Sequence, residues 1–432
     1  MTQAATINAT MTRWTLYDWL GIGLGVVMPV LAALLYPTYI HCVDPGWAEW
    51  TRLLEMPFVV AELVAIQIAV RRGYRDAPVW RGLPGDAKLA FGLLAVGLTV
   101  SSVFRSQHPF DSVLLSLITL VHLRFCAAIH FLARAAPVAD IGALFRWLTL
   151  GLGALTVLTV WRFQLPPPVA DVPGGVIEWG SALPGFINVR HFGSWTGAIA
   201  AGLMLALLYG EEEKDQHATA LAYLFAVGLT CWSGTRAALL AMAVVAVVAL
   251  VSLRRLPTRT RLVQVAALSA LALGLALTLL PADPAFHLYV TSDAQSADAA
   301  TGGRLALWHA TFARWLDAPL FGWGSGSTFW EVYVGWTHTQ PHNVVLQCLI
   351  SWGIVGAAGG LWLLARAIVA THRTGMDDPR LQPLTGMLYS LLFMSLLEGM
   401  LHYPRFIMMI ALGFAVLFAA RERHGPSLHR LA

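Results

Sequence analysis

Charge is scarce in this chain. Of 432 residues only 12% are Asp, Glu, Lys or Arg, 57% are hydrophobic, and the mean hydropathy is +0.65. Soluble domains carry about a quarter charged residues, so a water-soluble globular protein is excluded. No polar stretch is long enough to build a second core, which leaves one polytopic membrane domain over 1–432. Cysteine is scarce too. The four (Cys42, Cys126, Cys231, Cys348) show no CxxC or Cys/His spacing, which excludes a zinc module and reads as small buried hydrophobes.

The apolar residues come in blocks of roughly 20, the length that crosses a bilayer as a helix. About 12 spans are expected, near 16–36, 53–70, 88–104, 112–133, 141–161, 193–209, 218–233, 236–253, 262–280, 343–370, 383–401 and 404–420. The fold class is therefore an all-α integral membrane protein. The first block exceeds a signal-peptide core and reads as a membrane helix. Glu55, Pro57 and Glu62 interrupt the second span, and His122 and Arg124 in the fourth must face the bundle interior or water.

Arg and Lys orient the spans. Arg71, Arg72, Arg75, Arg81 and Lys88, then Arg254, Arg255, Arg259 and Arg261, then Arg366, Arg373 and Arg380, crowd one set of loops. That set is cytoplasmic by the positive-inside rule, as are both termini. The net charge of +4 is then topology, and no nucleic-acid partner is expected. Two long loops face outside. One, 162–192, is rich in Pro and Gly. The other, 281–342, is expected to contain short helices, including an amphipathic one through Leu305, Trp308, Phe312 and Leu316 that lies on the membrane or caps a cavity.

Three arginines stand out on the sparsely charged outer side. Arg190 lies in Ile187-Asn-Val-Arg-His-Phe-Gly-Ser-Trp195, Arg236 in Trp232-Ser-Gly-Thr-Arg-Ala-Ala-Leu-Leu240, and Arg304 in Thr301-Gly-Gly-Arg-Leu-Ala-Leu-Trp308. None has an acidic neighbour in sequence. A lone Arg at an interface can simply snorkel to lipid headgroups. Three of them, each beside Gly or Ser/Thr, suit an anionic ligand such as a diphosphate. His338 and His342 precede the tenth span and can take a proton from a hydroxyl. The alternative is a polar cluster at a helix start with Asn343 as N-cap. Glu398 and His402, spaced i,i+4 in the eleventh span, would share a helix face and, with Arg405, form an ion pair or hold substrate. The outer acidic residues show no paired spacing, so no metal and no cofactor is expected.

Four strings now combine. Trp232-Ser-Gly-Thr-Arg-Ala-Ala-Leu-Leu240, Gly303-Arg-Leu-Ala-Leu-Trp308, Pro319-Leu-Phe-Gly-Trp-Gly-Ser-Gly326, and Pro341-His-Asn-Val-Val-Leu-Gln347 followed by Trp352-Gly-Ile-Val-Gly356 resemble the O-antigen ligase/polymerase superfamily over roughly 185–365. The resemblance implies a glycosyltransferase of the bacterial inner membrane, its active site on the periplasmic face in the 281–342 loop. Its implied donor is an undecaprenyl-diphosphate-linked O-antigen and its acceptor lipid A-core, both met within membrane lipid. The family's essential arginines fall on Arg236 and Arg304, and on Arg190. Its loop histidine falls on His338 or His342. The family pattern reads His-x-His-Asn, and Gln340 stands here at the first of those histidines. His338, not committed to the helix start, is the favoured base. His191, Gln340, Asn343, Glu398, His402 and Arg405 are expected to support the site or bind acceptor. A polymerase or a protein O-oligosaccharyltransferase of the same superfamily shares these motifs. A transporter of a lipid-linked solute is the reading of another class, disfavoured because the arginines cluster at one face and no internal repeat is visible.

Overall fold

A computed structural model of the chain describes residues 14–40, 55–164, 185–186, 189–210, 216–279, 303–326 and 340–424. Every regular element among them is helical. Helix α1 (Leu16–Leu20) starts on a Thr15–Asp18 capping box and continues through a π-helical turn into α2 (Met28–Ile40). There follow α3 (Met56–Arg71), the short α4 (Asp76–Gly82), α5 (Gly85–Val100), α6 (Pro109–Ala133) and α7 (Ile141–Gln164). Then come α8 (Val189–Tyr209), α9 (Gln216–Trp232), α10 (Arg236–Leu253), α11 (Arg259–Leu279) and the amphipathic α12 (Arg304–Leu316). Helices α13 (Val344–Asp377), α14 (Gln382–Met394) and α15 (Pro404–His424) complete the chain.

Each expected span has a helix. Among the described residues nine helical segments are long and apolar enough to cross a membrane. The other three expected spans fall on α3, α9 and α14, of 16, 17 and 13 residues. The chain is a multi-pass helical membrane protein.

Helix α8 is the axis of the bundle, packed on α9, α10 and α14. Arg190 is its only exposed residue. Small residues allow this. A side chain at Gly197 would meet Ala238 of α10, and one at Gly202 would meet the backbone of Pro383 at the start of α14. In lipid, helix association depends on such close packing rather than on apolar burial. The same device joins α5 to α13, where Gly97 abuts Gly356.

Helix α13 is broken. Gly353 has φ +62°, and the segment 319–324 fills the gap. Trp323 and Gly324 donate backbone N–H to Ile350 and Ser351 carbonyls at 2.8 and 2.9 Å, while Ile354 and Val355 donate to Pro319 and Leu320 carbonyls at 2.8 and 3.2 Å. Backbone groups freed inside a membrane protein need such partners. The Pro319–Gly326 string is thus a backbone patch for a broken helix. Its Ser325 hydroxyl lies 2.9 Å from that of Ser116 and accepts from Trp352 Nε1 at 2.8 Å.

The eleventh span requires correction. Helix α14 stops at Met394, and residues 395–403 form a turn before α15. Glu398 and His402 therefore do not share a helix face. The sequence hides the stop because Leu396, Leu397, Met400 and Leu401 prolong the apolar run. The described cysteines Cys126, Cys231 and Cys348 are unbridged. Of the 162–192 loop, 165–184 and 187–188 fall outside the described residues, as do 280–302 and 327–339 in the region of the larger one.

Candidate active site

Three strands of irregular chain meet at one end of the bundle: the segment 340–343, the turn 395–403, and the start of α12. The first two are tied by Val344 N–H to the Ser395 carbonyl at 2.8 Å and by Asn343 Nδ2 to the Leu396 carbonyl at 3.1 Å. Trp308 of α12 donates its indole N–H to the Pro341 carbonyl at 2.8 Å. Asn343 caps α13, its side-chain oxygen accepting from Val345 and Leu346 N–H at 3.0 and 3.1 Å. His342 is held in the left-handed region at φ +53°, a conformation uncommon outside glycine.

These ties bring Arg304, His342 and Glu398 together. Arg304 Nη2 donates to Glu398 Oε1, and His342 Nδ1 lies 3.5 Å from the other oxygen. The Glu398 side chain is 5% exposed, so its carboxylate is enclosed between the Arg304 guanidinium and the His342 ring. Burial alone would raise its pKa. The His342 contact and the charges of Arg304, His342 and Arg190 outweigh burial and hold it at about 2. Arg304 is the first residue of α12, so the positive end of that helix points the same way. The expectation that the arginines have no carboxylate partner is corrected for Arg304; Glu398, 94 residues away, supplies it.

Arg190 approaches the cluster from the other side, and Arg236 begins the helix seated beside it. Thr235 Oγ1 donates to the Arg190 carbonyl at 3.4 Å, seating the start of α10 on the start of α8. A side chain at Gly193 would overlap the Ser233 and Thr235 hydroxyls, so the two helix ends can meet only there. Arg190 is also close enough for its charge to act on Glu398.

The other expected site residues take different places. His191 is buried, its ring 4.4 Å from Tyr403, within electrostatic reach of Glu398, His342 and Arg405. Gln340 is buried and donates to the Tyr403 hydroxyl at 2.9 Å. His402 is buried with its ring 4.8 Å from Tyr403. Arg405 is not part of a Glu398–His402 set. It is wholly buried, its guanidinium stacked 4.0 Å from the Phe186 ring and 4.7 Å from Phe58, and its backbone N–H donates to Glu55 Oε2 at 2.9 Å. Glu55 is thus a structural anchor for α15 rather than an interruption of a span. His338 lies outside the described residues. Among the described residues no three His, Cys, Asp or Glu side chains converge as a metal-ligand set.

Residues 221–361 match the family model described as O-Antigen ligase. The chain carries a domain of the O-antigen ligase family. The match spans Arg236, Arg304, His342 and the patched break at Gly353, whereas Arg190 and Glu398 fall outside it. The matched family suggests glycosyltransferase-like activity in the broad sense for that region. No curated protein matches the chain.

Sequence reasoning passed over Gln347, Ser395 and Tyr403, which pack around this cluster. They are uncharged residues inside apolar runs, and only the fold gives them neighbours of interest.

Proposed function

We propose that the chain is an O-antigen ligase, moving a glycan from undecaprenyl diphosphate to a sugar hydroxyl of lipid A-core at the periplasmic face of the bacterial inner membrane. The observation that carries this reading is Glu398 holding Arg304 on one oxygen and His342 beside the other. A carboxylate at Nδ1 orients the imidazole and stabilises its protonated form, leaving Nε2 to act as base. His342 therefore replaces His338 as the favoured base.

In the proposed step, His342 Nε2 takes the proton of the acceptor hydroxyl. The freed oxygen attacks the anomeric carbon from the face opposite the diphosphate, and the carbon–oxygen bond to the diphosphate breaks with inversion. The bonding pair leaves with the diphosphate. Arg190 and Arg304 set two positive charges against the single carboxylate of Glu398, and Arg236 adds a third positive side chain at the adjoining start of α10, an excess suited to a departing diphosphate without a metal ion. The undecaprenyl chain would lie along apolar helix faces, and lipid A-core would enter from the outer leaflet of the same membrane.

The test is transfer by purified protein in EDTA, with undecaprenyl-diphosphate-linked glycan and with or without lipid A-core. Wild type is compared with His338→Ala, His342→Ala and Arg304→Ala. Product that requires lipid A-core and disappears with His342→Ala is expected. Elongation without lipid A-core would make the chain a polymerase. Loss of product in EDTA, or near-normal transfer by His342→Ala, would overturn the mechanism.

A further inference from the structure

Beside the Glu398 cluster a small pocket opens between the start of α13 and the turn 395–403, its polar lining supplied by Gln340, Asn343, Gln347, Ser395, Glu398 and His402. With its mouth it encloses about 180 Å³, but its interior admits only about one water-sized group. Most of its polar walls are committed. Asn343 caps α13 and holds the Leu396 carbonyl, Ser395 Oγ donates to the Leu392 carbonyl at 2.6 Å, and Glu398 is occupied by Arg304 and His342.

Two carboxamides are only half used. Gln340 Nε2 donates to the Tyr403 hydroxyl and Gln347 Nε2 to Ser351 Oγ, each at 2.9 Å. The oxygens of both are enclosed and have no hydrogen-bond partner among the described residues. Gln340 as a whole is 5% exposed. A buried acceptor without a donor is costly and calls for one. Gly399 makes the room: a Cβ there would overlap Gln340 Oε1. The Tyr403 hydroxyl can donate as well as accept, so with either orientation of the carboxamide one end of Gln340 is left for a ligand.

The chemistry of the missing partner follows. Two neutral acceptors want a donor. A phosphate would bring only more acceptors, and a cation would face the arginines around Glu398. A hydroxyl fits the width, and its single proton goes to the Gln340 oxygen; it accepts from the Gln347 carboxamide turned to present its N–H, with Ser351 Oγ then donating to the Gln347 oxygen. We infer that this pocket seats one hydroxyl of a substrate sugar, next to the hydroxyl or anomeric centre that reacts at His342. The inference rests on the ligase reading for its placement and adds a specificity device to it. A sugar lacking that hydroxyl would strand the carboxamides, which is how sites built on hydrogen bonds reject analogues.

Acceptor and donor glycan both carry hydroxyls, and the experiment separates them. Saturation-transfer NMR on the full-length protein in detergent uses lipid-free core oligosaccharide in one arm and glycan released from its lipid carrier in the other. Wild type is compared with Gln347→Leu and with Gly399→Ala, which displaces Gln340 by another route. Transfer to one saccharide by wild type, lost in both variants, is expected and names the source. In the enzymatic assay KM for that source should rise about tenfold with kcat within about threefold. Equal saturation transfer in all three proteins, or none to either saccharide by wild type, would overturn the pocket. If saccharide binding behaves as expected but wild type forms no product, the ligase reading fails and the pocket stands. If product forms and the variants change neither binding nor KM, the pocket fails and the ligase reading stands.

Discussion

Arg304 and Glu398 are ion-paired across 94 residues of chain, joining the first turn of α12 to the turn ahead of α15. The pair has a consequence for catalysis. Glu398→Gln keeps the shape and an acceptor but removes the charge that stabilises a protonated His342. Transfer should fall about 100-fold when assayed well below the variant's own thermal midpoint, so that the loss is not one of folded protein. A variant that retains more than half of wild-type kcat would show that Glu398 only fastens the turn.

The same carboxylate makes stability depend on pH. Its folded pKa, about 2, lies below its ordinary value of 4.5. The stability it contributes is therefore complete above about pH 4.5 and is lost as pH falls towards 2. The difference in thermal midpoint between wild type and Glu398→Gln should be constant from pH 7 to 5 and shrink below 4.5. A difference that grows on acidification would contradict the pairing.

Arg405 is buried against Glu55 between three aromatic rings. Removing one partner leaves a buried charge uncompensated, which typically costs about 3–5 kcal/mol. Glu55→Ala should therefore lower the thermal midpoint strongly. The double variant Glu55→Leu, Arg405→Met should recover much of the loss. Equal midpoints for Glu55→Ala and wild type would show that the pair carries no stability.

The break in α13 depends on one glycine. At φ +62° and ψ −173° an L-residue pays about 1–3 kcal/mol, and a Cβ on Gly353 would also strike the Leu320 carbonyl. Gly353→Ala should lower the thermal midpoint and weaken transfer, because the patch no longer seats. Gly274, in the middle of α11 with open space around it, is the control. Gly274→Ala should be neutral or stabilising.

The fold was far more legible than the site. Each apolar block became a helix, because a backbone in lipid must satisfy its own hydrogen bonds. Asn343 announced itself as a cap from its place at the head of an apolar run. Two features were hidden by the same uniformity. The run through Leu396, Leu397, Met400 and Leu401 concealed the end of α14, and the run through Trp352 and Ile354 concealed the break at Gly353. A continuous apolar stretch reports burial in lipid, not where the helix within it stops.

At the site, Arg190, Arg236, Arg304 and His342 were conspicuous as isolated polar residues at the ends of apolar spans, and Glu398 as a lone carboxylate within one. Residue types and spans were determined by the sequence itself, because membrane insertion responds to local hydropathy. Which groups meet was decided only by tertiary structure. Glu398 faces Arg304 and His342 rather than His402, and Arg405 faces Glu55, 350 residues earlier. The physical reason is that charge pairing acts over a few ångströms. Those ångströms are set by how helices such as α8 and α10 close on Gly193 and Gly197, contacts that no local pattern in the chain encodes.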